Sequence, residues 1–264
     1  MGVKGIIFAD PTQDLGCLIE SLDPEKSALV DVCYGNLFLQ NFRGSYFRGG
    51  DWASLVSIAA IIGGTNPDLS SDMHFSKHHH ASVCQELGGR NPMDGVDTVF
   101  VHGLYGLSVL LDWYSQGAAV VAGKEDNLAL QKLCYAMLIG MLRQIFRVTK
   151  RGISVWFTVP LKPEFNRLSQ CDCLVPDIVQ PKLLQELICL SDLIVSQTDV
   201  WKDGVAHTVL VTDPRNKWGL PAKSAAVFGL APLEPPDLSE LRRKIMQNPH
   251  NHSGVLKGSP HSIK

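Results

Sequence analysis

No apolar run in this sequence approaches the ~20 residues that span a bilayer. The longest, IAAII (58–62) and GISVWFTVP (152–160), have the size of core elements. Before Asp10 the chain offers only Gly5 to Ala9 as an apolar stretch, too short for a secretory hydrophobic region. The 7 cysteines (17, 33, 84, 134, 171, 173, 189) include no C-x-x-C pair and form an odd, scattered set. They encode neither a disulfide framework nor zinc-finger spacing, and reduced thiols among apolar neighbours are expected. No internal repeat is found. These absences lead us to expect a soluble protein of the cytoplasm, with the nucleus as second compartment, and no membrane partner.

The usual catalytic signatures are also missing. A phosphate-binding loop needs glycines whose backbone N–H groups wrap phosphate, a lysine and a hydroxyl. The turn after the first apolar segment, ADPTQDLGCL (9–18), has one glycine, no lysine and two acids. GAAVVAGKED (117–126) comes nearer, but its spacing is one residue too long and Glu125 replaces the hydroxyl. The glycine run GSYFRGGDW (44–52) has no lysine. VFVHGLYG (99–106) has the strand-then-His-Gly turn that precedes the oxyanion hole of many α/β hydrolases. That fold needs a G-x-S-x-G elbow, and neither Ser108 nor Ser154 has the second glycine. A hydrolase-like activity at His102 and Gly103 is kept as the alternative from a different class.

The composition that remains is that of a globular protein. Of 264 residues 45% are hydrophobic and 19% charged, which excludes a disordered chain. The net charge of -2 conceals an asymmetry. Residues 241–264 carry Arg242, Arg243, Lys244, Lys257 and Lys264 and no acid, leaving 19 basic against 26 acidic residues in the first 240. A basic tail on an acidic body can meet phosphate or an acidic partner, or be a solvated end.

Six apolar segments of strand length are bounded by Gly, Pro, Asp or Asn: 3–9, 28–34, 98–103, 153–159, 193–198 and 206–212. Near-continuous apolar strands suit a parallel sheet covered on both faces. Helical spacing marks 127–148, with Asp126 as N-cap and Gly152 beyond its end, then 51–64, and 181–192 with Pro181 in its first turn. The alternation predicts an α/β layer fold with right-handed crossovers. The span 63–95 reads as a long loop with one helical turn. PLEPP (232–236) reads as a linker, and Asp237 with Glu240 as the capping-box start of a short helix to Gln247. Residues 248–264 read as disordered. We therefore divide the chain into an α/β domain, 1–231, and a carboxyl-terminal piece, 232–264.

His74, His78, His79 and His80, with Cys84 nearby, have ligand chemistry but no second ligand pair at finger spacing. They read as a surface tract, and no metal or other cofactor is expected. Trp113 and Trp156 read as core residues. Trp201 and Trp218 flank the hairpin-like segment 199–218 with Lys202, Arg215 and Lys217. Those three cations, together with Arg242, Arg243 and Lys244, are the candidate partner or nucleic-acid contacts.

The order of elements resembles a RecA-type core that has lost its catalytic motifs, over roughly residues 3–230. TVFVHGLYGLSVLLDW (98–113) lies where such folds carry the Walker B strand, with His102 and Gly103 in the place of the acid. ISVWFTVP (153–160) resembles the next strand, whose end bears a polar sensor. The block 183–211 resembles the helix, strand and β-hairpin that close the core in Elongator subunits five and six and in the RecA-like recombinase paralogues. The early first strand, without a phosphate loop, is most similar to Elongator subunit six. The glycine-rich 43–50, the long loop and the hairpin at Gly204 depart from that pattern. This resemblance implies a three-layer RecA-like core with a closing hairpin and no ATPase activity. It implies a scaffold subunit among other RecA-like chains, supporting tRNA wobble-uridine modification with a weak tRNA contact. A recombinase-paralogue-like adaptor in DNA repair is the second expectation.

Overall fold

A computed structural model describes residues 1–11, 13–32, 39, 42–107, 109, 128–166, 170–178, 181–223 and 225–248. The elements run β1 (Lys4–Ala9), α1 (Gly16–Glu20), β2 (Ser27–Asp31), β3 (Ser45–Arg48), α2 (Trp52–Gly63), α3 (Lys77–Glu86) and β4 (Thr98–His102). They continue with α4 (Leu128–Phe146), β5 (Ser154–Asn166), β6 (Cys171–Pro176), α5 (Pro181–Leu190), β7 (Leu193–Lys202), β8 (Val205–Val211), β9 (Leu233–Glu234) and α6 (Leu238–Gln247). Short 3-10 turns occupy Arg147–Arg151 and Ala225–Phe228.

The strands form one sheet in the order β3-β2-β4-β5-β1-β7-β8-β9, with β6 paired to β5. From β3 to β7 every pairing is parallel; β8, β9 and β6 are antiparallel. The expected α/β architecture with a mostly parallel sheet and a hairpin on one side is therefore present. β1, β2 and β4 are buried along nearly their whole length, because helices cover both faces.

Alternate side chains divide between two cores. Ile6 and Phe8 of β1, with Val155 and Phe157 of β5, pack against α2, α4 and α5; Val83 of α3 joins them. Ile7, Ala9 and Trp156 face the other way, against Leu18 and Ile19 of α1 and Leu238, Leu241 and Ile245 of α6. At the centre the approach is closest where Gly5 pairs with Trp156, whose ring lies over the glycine.

Local signals set the helix ends. Asp51 caps α2 by accepting the Ser54 N–H at 2.7 Å, and Asp237 caps α6 by accepting the Glu240 N–H at 2.8 Å. Glu240 turns to Arg243 in place of closing the expected capping box. On α4, Cys134, Met141 and Ile145 are buried on the predicted face. Its expected N-cap Asp126, along with Trp113 and the segment 117–126, lies outside the described residues, as does 249–264.

Three expectations need correction. The span 63–95 holds α3, a ten-residue helix, where one turn was expected. Ser76 starts it by accepting the His79 N–H at 3.2 Å, yet Val83 is its one buried residue, so no apolar stripe announced it. Residues 232–236 are more than a linker: β9 pairs with β8, and Glu234 is 3% exposed. The basic triplet of 242–244 lies on α6, built into the second core, and is not part of a tail.

Candidate functional site

In a parallel sheet the chain leaves every strand at one edge, so the loops there collect polar groups beside an apolar floor. Here β1 and β4 end, and β5 passes, around a pocket of about 250 Å³. Its apolar lining comes from Ala9, Leu15, Val159 and Pro160, and its polar lining from Asp10, Gln13, His102, Tyr105 and Thr158.

Two arms stand beside it. Ala9 ends β1 opposite Pro160, but β5 continues through Leu161–Asn166, paired with β6. On the other side β7 passes its last β1 partner, Ser196, and runs on to Lys202 paired with β8. Six further residues at ~3.4 Å each make each arm roughly 20 Å long. The β7–β8 arm turns on Asp203 and Gly204, both at positive φ (53° and 78°), the geometry that matches strand twist in a two-residue hairpin. Phe165 on one arm is 59% exposed and Trp201 on the other 73% exposed.

The turn after β1 is closed on itself. The Gln13 N–H donates to the Asp10 carbonyl at 2.9 Å, and Gln197 Nε2 donates to the Asp14 carbonyl at 2.9 Å. Asp14 Oδ1 accepts the Gly16 N–H at 2.7 Å. In a phosphate loop the first amides of the following helix face the anion; here the Gly16 amide already donates to a carboxylate of the chain. A second negative group would meet its charge at contact distance. Burial raises the Cys17 thiol above its ordinary value, aided by Asp14 and opposed by a backbone N–H contact at Leu18.

At the end of β4 the expected His-Gly turn is present. Thr158 Oγ1 of β5 accepts the Gly103 N–H at 3.0 Å and stands 3.1 Å from His102 Nδ1, where either group can donate. Burial pulls the His102 imidazole below its ordinary value, against the opposing pull of Asp31, its register partner on β2. Asp31 in turn accepts from the Tyr46 hydroxyl of β3 at 3.1 Å. Burial, and then that hydrogen bond, raise the Tyr46 phenol. Among the described residues the pocket lining contains no serine or cysteine, and Thr158 is 3% exposed. Thr158 occupies the strand end where the resemblance implied a polar sensor.

The six contact candidates are spread over several surfaces. Lys202 is exposed at the arm's tip. Arg215 and Lys217 follow the opposite end of β8, roughly 24 Å away for seven residues. Arg215 pairs with Asp213 at 3.7 Å, and Lys217 Nζ stands 4.9 Å over the Trp218 ring. On α6, Arg242 pairs with Asp97 at 3.2 Å, Arg243 with Glu240 at 2.6 Å and Lys244 with Glu234 at 2.5 Å. The Arg242 and Lys244 pairs attach α6 to the body, and that of Arg243 lies within the helix.

Among the histidines, His79 Nδ1 accepts the Phe75 N–H at 3.1 Å, and the His74 and His79 rings meet edge-on at 5.3 Å. Cys84 Sγ lies 3.8 Å from both ring nitrogens of His80. Among the described residues no three His, Cys, Asp or Glu side chains converge as a metal site would require. No described helix is long and apolar enough to cross a membrane.

The sequence pointed to His102 and Gly103 but not to Gln13, Asp14, Tyr105 or Thr158. Their available signal was position, just past the ends of apolar strands, where a parallel sheet puts its sites. In comparisons with known proteins, no family model and no curated protein matches the chain.

Proposed function

We propose that the chain is a non-catalytic RecA-like scaffold subunit that assembles with other RecA-like chains. The assembly we propose is an Elongator-type complex supporting tRNA wobble-uridine modification. The observation that carries the reading is Asp14, whose carboxylate takes the amide that a nucleotide phosphate would need. The two arms support the same reading. An isolated two-stranded hairpin is marginal in water, and Trp201 at 73% exposure and Phe165 at 59% are anchors of the type interfaces bury. The tRNA contact we propose rests on Lys202 and Lys217, because Arg215 and the cations of α6 have acidic partners within the fold. Affinity purification of the tagged protein from its native cells, with mass spectrometry, tests the proposal. It expects stoichiometric RecA-like chains, lost in Trp201→Ser while that variant keeps its fold. Recovery of a recombinase would assign the same scaffold to DNA repair. A monodisperse protein without a partner would overturn the reading.

A further inference from the structure

Away from the strand ends, the segment 66–75 and helix α4 enclose a second cavity, of about 630 Å³. Leu69, Met73 and Phe75 give it apolar walls, Arg143 and Arg147 two cations, and Asp72 its one acid among the described residues. The two arginines differ. Arg143 pairs with Glu186 of α5 at 3.3 Å. Arg147 has no acidic partner among the described residues: its Nη2 donates to the Thr65 carbonyl at 3.3 Å, and its Nε is buried without an acceptor. A guanidinium carries five N–H donors in a plane that matches a carboxylate, and a buried donor left unpaired calls for an explanation. Asp72 does not supply the missing anion, because it is exposed and a hydrogen bond from the Ser70 side chain holds it below its ordinary value. A second unusual feature lines the same cavity. Phe75 holds φ at 68°, in the left-handed region that a bulky side chain rarely adopts. Its carbonyl accepts the Asn66 N–H at 2.8 Å and its own N–H donates to His79 Nδ1 at 3.1 Å, which keeps the backbone there. Strain held by surrounding bonds collects at ligand-binding sites, and here it sets an aromatic ring in the cavity wall.

We infer that this cavity binds a free monocarboxylic acid with an apolar body, its carboxylate on the Arg147 guanidinium and its body against Leu69, Met73 and Phe75. One uncompensated guanidinium balances a single negative charge, and Asp72 in the same lining repels a second, which favours a monocarboxylate over a phosphate dianion. The volume is that of sites for small organic ligands. Gly140 of α4 keeps the space open, since a Cβ there would meet nothing within 4 Å. The inference is independent of the scaffold proposal, since it rests on this lining alone.

Phenylbutyrate is the probe, with phenylbutanol as its uncharged counterpart and phenyl phosphate as the dianion. Titration calorimetry on the purified full chain expects saturable phenylbutyrate binding, weaker by at least about tenfold for phenylbutanol and for phenyl phosphate. Arg147→Met removes the cation and weakens phenylbutyrate by at least about tenfold. Asp72→Asn removes the competing charge and tightens it. Gly140→Leu fills the space beside α4 and abolishes binding, while exchanging a helix glycine for a strong helix former keeps the fold. Thermal unfolding shows whether each variant is folded, and the gain in Asp72→Asn separates site chemistry from damage. Absence of phenylbutyrate binding, affinity no better than that of phenylbutanol, or affinity that Asp72→Asn does not raise overturns the inference and leaves the scaffold proposal standing. So does binding that folded Arg147→Met and Gly140→Leu leave unchanged. Tighter binding of phenyl phosphate overturns the choice of a monoanion. Phenylbutyrate that releases a co-purified protein assigns the cavity to a partner's carboxylate and overturns a free acid as its occupant.

Discussion

Substitution of Gly5 by alanine tests the packing on which the site is built. Gly5 and Trp156 are register partners in the two central strands, and their carboxyl ends form the pocket. A Cβ at Gly5 would lie 2.1 Å from Trp156 Cε3 and 2.3 Å from Cζ3. Ordinary carbon contacts need ~3.5 Å, so the indole or the strand must retreat by more than about 1 Å. Trp156 is 0% exposed in the core that also holds Leu18, Leu29, Phe100 and Leu241, so it has little room to retreat. Overpacking a well-filled core costs about 1–3 kcal/mol, and three indole atoms of a fully buried ring within 3 Å put Gly5→Ala at about 3 kcal/mol. For a chain of this size that corresponds to a fall in Tm of roughly 6–12 °C. Urea unfolding followed by tryptophan fluorescence measures it. The decisive control is a double-mutant cycle with Trp156→Leu, which removes the two ring carbons. There the alanine should cost less by more than about 1 kcal/mol. A Gly5→Ala protein within about 0.5 kcal/mol of wild type, or strict additivity in the cycle, would refute the reasoning.

Lys244→Met leaves Glu234, 3% exposed, without its ammonium partner and should cost about 2 kcal/mol in denaturant unfolding; Arg243→Ala, whose pair is in solvent, should not measurably change it. Asp237→Ala removes the cap of α6 and should cost about 1 kcal/mol, without change in m-value. Burial lowers the folded-state values of His79, His80 and His102 below 6.5, so the unfolded chain takes up protons that the fold refuses. Stability should therefore be flat between about pH 7 and 8 and fall as pH drops below about 6.5, with a smaller fall in His102→Gln; a rise on acidification would contradict this. Neutralising Arg242, Arg243 and Lys244 together should leave the salt dependence of tRNA binding unchanged, because all three have acidic partners within the fold. Three true single-strand contacts would flatten the slope by about 2.

The elements that the sequence announced were those whose hydrophobic pattern is strong on its own. The six apolar segments correspond to β1, β2, β4, β5, β7 and β8, and Pro181 and Asp237 marked helix starts near where α5 and α6 begin. Elements stabilised by neighbours left no such trace. β3 is a four-residue edge strand without a fully buried residue, β6 exists as the partner of the extended β5, and α3 has one buried position. The site divided in the same way. His102-Gly103 was legible because a strand end followed by His-Gly is a local pattern. Gln13 and Thr158 meet at one pocket though 145 residues apart, and the parallel pairing of β1 with β5 alone brings them together. The absence of a phosphate loop was visible as missing glycines and lysine. That Asp14 takes the amide itself could be seen only in the folded turn.

We propose that this chain works by assembly and not by turnover. The mass and composition of the complex isolated from native cells, by native mass spectrometry under gentle salt, test that claim most directly. The account predicts a stoichiometric hetero-oligomer with other RecA-like chains that disperses on Trp201→Ser and carries no nucleotide on this subunit. A lone monomer that binds and hydrolyses MgATP would contradict it.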